Sequence, residues 1–169
     1  ILFQFPPQSP TRVGSPEQFA ERLQRFLSDL PAGGLYAVEL RTPALLTAAY
    51  VAALRDTGVC HCLNAHPSMP PPAVQVQRLH EYGGLLQAPA CVIRWMLHSG
   101  LQYDAAAQRY APFNRLVDED PTTRASIAEL CRKALATDTP TYVIINNKAE
   151  GSSPLSVVQL AVALTAATP

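Results

Sequence analysis

Charge is scarce in this chain. Only 15% of its 169 residues are Asp, Glu, Lys or Arg, and 13 basic residues balance 13 acidic ones to a net charge of zero. With no global field the protein does not gather nucleic acid or an anionic membrane across its surface, so any anion site has to be built locally. Long apolar runs are missing as well. None approaches the roughly 18 residues that span a bilayer, so no membrane partner is expected and the expected location is the cytoplasm. Cysteines number four, and Cys60, Cys62, Cys91 and Cys131 fall in strand- and helix-like segments. Their spacing suits neither a disulfide framework nor a zinc site, and they read as free buried thiols. No H-x-H or H-E-x-x-H pattern occurs, so no metal ligands are assigned, and no motif identifies a cofactor.

What is present is apolar. A hydrophobic share of 48% is enough for a real core, and residues 1–169 read as one domain. Because residue 1 is Ile, already inside an apolar strand, the chain is expected to be the later part of a longer protein.

Leu2 to Phe5 reads as a strand closed by Pro6 and Pro7. Ser15, Pro16 and Gln18 form a capping box, opening a helix whose apolar face is Phe19, Leu23, Phe26, Leu27 and Leu30. Tyr36 to Arg41 is a second strand, and Thr42-Pro43 opens a helix running through Leu54 to a stop at Gly58. Val59 to Asn64 is the third strand. A stiff loop from His66 to Pro72 leads to a helix on Val74, Val76, Leu79, His80 and Tyr82. Cys91 to Met96 is the fourth strand, followed by a long polar and aromatic loop from Leu97 to Pro121, a length typical of binding loops. A helix from Thr122 or Thr123, a strand from Tyr142 to Ile145 and a last helix from about Leu155 to Ala166 complete the chain.

Five strands each followed by a helix imply parallel pairing through right-handed crossovers, hence an α/β protein, either doubly wound or a piece of a (β/α)8 barrel. Polarity separates the two. A parallel sheet covered on both sides is apolar on both faces, yet here every strand carries a polar member: Gln4, Glu39 and Arg41, Asn64 and His66, Arg94, and Asn146 or Asn147. That face reads as a barrel lumen near its mouth.

Five blocks, in order, carry a resemblance: Gln4-Phe5-Pro6-Pro7, Val38-Glu39-Leu40-Arg41, Ile93-Arg94-Trp95, Tyr110-x-Pro112-Phe113, and Asn146-Asn147-Lys148-Ala149-Glu150-Gly151 with Pro154. The chain resembles the YecE-like domain-of-unknown-function family (DUF 72) of TIM barrels. The resemblance implies about the last five βα units of a (β/α)8 barrel, with the first units missing. It implies a fold and a pocket without implying a reaction.

Barrel sites lie at the C-terminal ends of the strands, where these polar residues fall. Glu39 is the candidate acid or base, with Glu150 as its partner. Arg41 and Arg94 are the candidate cations for a small anionic or hydroxylated ligand. The structural alternative is a buried Glu39–Arg94 ion pair. Gln4, Asn64, His66, Asn146 and Asn147 are the further ligand-binding candidates, although Asn and Gly are also ordinary turn formers. Tyr103, Tyr110, Phe113, Arg109 and Arg115 either stack on bases or sugars or pack the long loop. Trp95 alternates away from Arg94 into the core. The functional reading is a hydrolase acting on phosphoester or glycosidic bonds. The alternative is a non-catalytic binder of a small anion or of nucleic acid, the latter without support from the net charge.

Overall fold

A computed structural model describes residues 1–84 and 88–165. Five parallel strands, β1 (Leu2–Phe5), β2 (Ala37–Leu40), β3 (Cys60–Ala65), β4 (Cys91–Trp95) and β5 (Thr141–Ile145), form one sheet in the order β1-β2-β3-β4-β5. Around them lie α1 (Pro10–Val13), α2 (Pro16–Ser28), α3 (Ala48–Thr57), α4 (Pro72–Glu81), α5 (Tyr103–Tyr110), α6 (Pro121–Ala136) and α7 (Ser153–Thr165). Each strand neighbours the next in sequence, so the order never reverses as it does at the switch point of a doubly wound sheet.

The register fixes the faces. Gln4 stands beside Glu39, Ala37 beside Cys60, Asn64 beside Arg94, and Arg94 beside Ile144. By alternation, Leu2, Gln4, Ala37, Glu39, Cys60, Cys62, Asn64, Val92, Arg94, Tyr142 and Ile144 share one face. The opposite face is mostly apolar and packs with the helices in a single core that includes Val38, Leu40, Leu63, Ile93, Trp95 and Ile145. Phe3 meets Phe26 and Phe5 meets Phe19 edge-on, fastening β1 to α2. On the first face a smaller apolar cluster that includes Leu2, Ala37, Cys60, Cys62 and Val92 lies below the polar residues, and among the described residues no helix contributes to it.

The capping box at Ser15 forms as the sequence implies, with Ser15 and Gln18 bonded reciprocally. The helix expected from Thr42-Pro43 to Leu54 is broken in two. Pro43–Leu45 makes one 3-10 turn, the chain leaves helical angles at Leu46, and Thr47 restarts the helix by accepting the Tyr50 amide proton at 3.3 Å. The fourth helix packs Leu79, Val76 and its C-cap Tyr82 on the core as expected, with its buried stripe shifted at the start. Pro72, Gln75 and Leu79 are buried while Val74 is exposed, because Gln75 is bonded into the sheet. The long loop after β4 contains α5, whose Ala106 and Tyr110 pack with Leu97, Leu101, Phe113 and Val117. Ala166, the expected end of the last helix, lies outside the described residues.

Candidate functional site

Glu39 sits at the centre of the polar face. It is fully buried, and each of its oxygens faces a guanidinium: Arg41 Nη2 lies 2.5 Å from Oε1, and Arg94 Nη1 donates to Oε2. Arg94 also donates to Gln4 Oε1 at 3.1 Å, so residues of β1, β2 and β4 meet in one cluster. Two guanidiniums against one carboxylate leave one net positive charge in a poorly hydrated place. Burial lowers the Arg41 pKa from its ordinary value, and Glu39 holds it up.

Several polar atoms here are unfinished. Glu39 Oε1 is ion-paired with Arg41 but makes no hydrogen bond, while Arg41 Nε and Asn64 Oδ1 are buried without a partner among the described residues. Asn64 is fully buried beside Arg94, and its Nδ2 donates to the Leu40 carbonyl at 2.9 Å. Gln75 clamps its backbone from both sides, accepting from Asn64 N at 3.2 Å and donating to Asn64 O at 2.7 Å. His66 lies at the rim, its Nδ1 accepting from the Ser68 amide at 3.1 Å. Burial and then the nearby Arg41 push its pKa down to about 4, so the ring is neutral at pH 7. Cys62 lies under Glu39, and burial raises its thiol pKa, Glu39 adding to the effect.

Glu150 belongs elsewhere. It is fully buried, its Oε1 accepts from Arg124 Nη2 at 2.5 Å and from the Asp120 amide at 2.8 Å, and its backbone oxygen takes the Val117 amide at 2.8 Å. It therefore ties the long loop to the end of β5 and shares no partner with Glu39. Asn146 Oδ1 accepts from the Lys148 amide and Asn147 Oδ1 from the Ser153 amide, which begins α7. Both amides thus shape the turn. Gly151 has φ +117°, and a Cβ there would lie 2.6 Å from the Arg115 carbonyl, so the close approach of the two loops requires glycine.

Part of the aromatic set packs the long loop. Tyr110 is buried and donates to Asp118 Oδ2, Arg109 pairs with Asp118, and Lys148 Nζ sits 4.1 Å over the Tyr103 ring. Among the described residues no group of three or more His, Cys, Asp or Glu could hold a metal ion.

Sequence reading missed Gln75 and His61. His61 is buried on the helix side of β3, between the Tyr50 hydroxyl at 2.8 Å and Gln75 Oε1 at 3.3 Å. The available signal was the spacing of Gln75 to Pro72 and Leu79, three and four residues away, which puts it on the buried stripe of α4.

The family model described as "Protein of unknown function DUF72" matches residues 1–169. The chain belongs to the DUF72 family. Three solved structures of DUF72 proteins resemble it. The one from Thermotoga maritima MSB8 has 18% identity and a TM-score of 0.62, over 96% of this chain and 56% of that one. Two from Enterococcus faecalis V583 have TM-scores of 0.57 and 0.56 at 18% and 15% identity, over 99% and 98% of this chain and 59% and 61% of theirs. The DUF72 chain described here thus spans somewhat over half the length of these solved relatives, and at such identities the likeness is one of fold. No curated protein matches it.

Proposed function

We propose that this DUF72 protein binds a compact anion, a phosphate group above all, between Arg41 and Arg94 at the C-terminal edge of the sheet. The observation that carries the reading is the buried cluster of two guanidiniums on one carboxylate, with net positive charge and the Arg41 Nε donor left unpaired. Guanidinium groups match oxyanion geometry, and a partly buried cation without full pairing favours an anion.

The cluster sits, on this proposal, in five consecutive units of a (β/α)8 barrel, the C-terminal part of a single domain. Sequential strand order, helices against a single face and the greater length of the solved relatives support that architecture. So do Tyr142 and Ile144, apolar and exposed on the inner face of β5, where a further strand would pair. A cytoplasmic location fits the four free thiols, and no described helix is long and apolar enough to cross a membrane.

A hydrolase acting on phosphoester or glycosidic bonds is the second reading, favoured by Glu39 lying among the cations that would hold its substrate. It lacks the expected second carboxylate, because Glu150 is engaged by Arg124. Binding is therefore the reading the geometry supports best.

Calorimetric titration of phosphate into the full chain tests it. Wild type should bind, Arg94→Met should lose affinity by at least about tenfold, equivalent to about 1.4 kcal/mol, and Val158→Ser on the exposed side of α7 should change nothing. Unaltered affinity in Arg94→Met, or no wild-type binding at millimolar phosphate, would overturn the proposal.

A further inference from the structure

We infer that the Arg41–Glu39–Arg94 cluster selects a protonated oxyanion, one that brings a hydroxyl proton along with its negative charge, and that Asn64 is the selecting residue. The inference rests on the anion-binding reading above, but a separate observation carries it. Asn64 is fully buried, its Nδ2 is spent on Leu40 O, and its Oδ1 faces no donor. A buried acceptor left unpaired costs about 1–3 kcal/mol. Rotating the amide by half a turn gives no relief, since two acceptor oxygens would then face each other at 2.9 Å. Gln75 also pins the Asn64 backbone at both its N–H and its C=O.

The carbonyl that Asn64 reaches belongs to the peptide joining Leu40 to Arg41, the residue that carries the orphaned donor, Nε. A ligand that finishes both has to donate and to accept. A phosphate group that keeps one proton does this: its P–OH donates to Asn64 Oδ1 while an anionic oxygen accepts from Arg41 Nε. Its charge also answers the one net positive charge of the cluster. Sulfate has the same tetrahedral shape without a proton near neutral pH, so its oxygens would meet Asn64 Oδ1 as acceptor against acceptor. Discrimination of this kind comes from the repulsive contact as much as from the attractive one.

Free phosphate and phosphomonoesters share this chemistry. Calorimetry of the full chain with phosphate, methyl phosphate and sulfate at about pH 6, where a phosphomonoester is about half protonated, separates the cases. Phosphate or methyl phosphate should bind roughly 10- to 100-fold tighter than sulfate in wild type, the range an unpaired acceptor implies. Asn64→Ala should bind sulfate and phosphate about equally. Tighter methyl phosphate supports an esterified ligand and tighter phosphate supports the free ion. If sulfate binds wild type as tightly as phosphate, the anion site stands and the selection by Asn64 is refuted. If phosphate preference persists in Asn64→Ala, Asn64 is not the selector. If no anion binds, the underlying anion reading fails with it. The wild-type ratio decides even if Asn64→Ala does not fold.

Discussion

Glu39 holds two like charges, the buried Arg41 and the half-buried Arg94, on one face of the sheet, so the carboxylate compensates both. Glu39→Gln preserves the shape and removes the charge, leaving two cations without compensation. The expected loss is about 3–5 kcal/mol, the cost of breaking a buried pair, read from urea denaturation. A loss under about 1 kcal/mol would mean that both guanidiniums reach water.

His61 supplies a pH dependence of known sign. Burial pushes its pKa from 6.5 down to about 4, and the Gln75 hydrogen bond only partly opposes this. As pH falls below about 6.5 the unfolded chain takes up a proton that the folded chain refuses until about pH 4. Stability should therefore be flat above that window and fall within it, by up to about 3 kcal/mol in total. His66, lowered for the same first reason, adds in the same direction. Urea midpoints from about pH 7.5 to 4.5 should drop more steeply for wild type than for His61→Gln, and parallel curves would contradict the account. At this scale the sequence exposed Glu39, Arg41 and Arg94 through simple alternation. It hid Gln75 and His61, because a helical glutamine reads as solvent-facing until its partner strand is placed beside it.

Among the elements, the loops after β4 and β5 are held by each other. Gly151 allows the contact, Glu150 accepts from the Val117 and Asp120 amides, and Arg124 closes the network from α6. Gly151→Ala puts a methyl group against the Arg115 carbonyl and strains a positive φ, so it should loosen both loops together. Amide exchange at Val117 and Asp120 should accelerate in that variant while β3 stays protected; unchanged protection would show that the loops adapt. The strands and four of the longer helices were legible because caps, prolines and apolar spacing agreed along the chain. The break at Leu46 was not, since Thr47 competes as a cap inside an otherwise helical pattern. Helix α5 was hidden by its brevity and by three alanines, which mark no face until Tyr110 is buried.

For the molecule as a whole, the sheet ends in two strands, β1 and β5, each with one unpaired side among the described residues. Tyr142 and Ile144 on β5 and Val157, Val158 and Val162 on α7 are exposed beside that edge. Edges of this kind template association, so residues 1–169 produced alone should self-associate as concentration rises. Ile144→Lys should reduce this in sedimentation, and a concentration-independent monomer in wild type would contradict it. The α/β class and the shared polar face were readable from alternation alone. The separation of Glu39 from Glu150 was not, because residues at the ends of strands in one sheet can send their side chains into different networks.

The central claim concerns a place, and the most direct measurement is a crystal structure of the full chain grown with phosphate. An oxyanion within hydrogen-bonding distance of both Arg41 Nε and Asn64 Oδ1, with Arg94 still on Glu39, is the predicted result. An empty cluster at a phosphate concentration that saturates the protein in solution, or an anion bound away from both arginines, would contradict it.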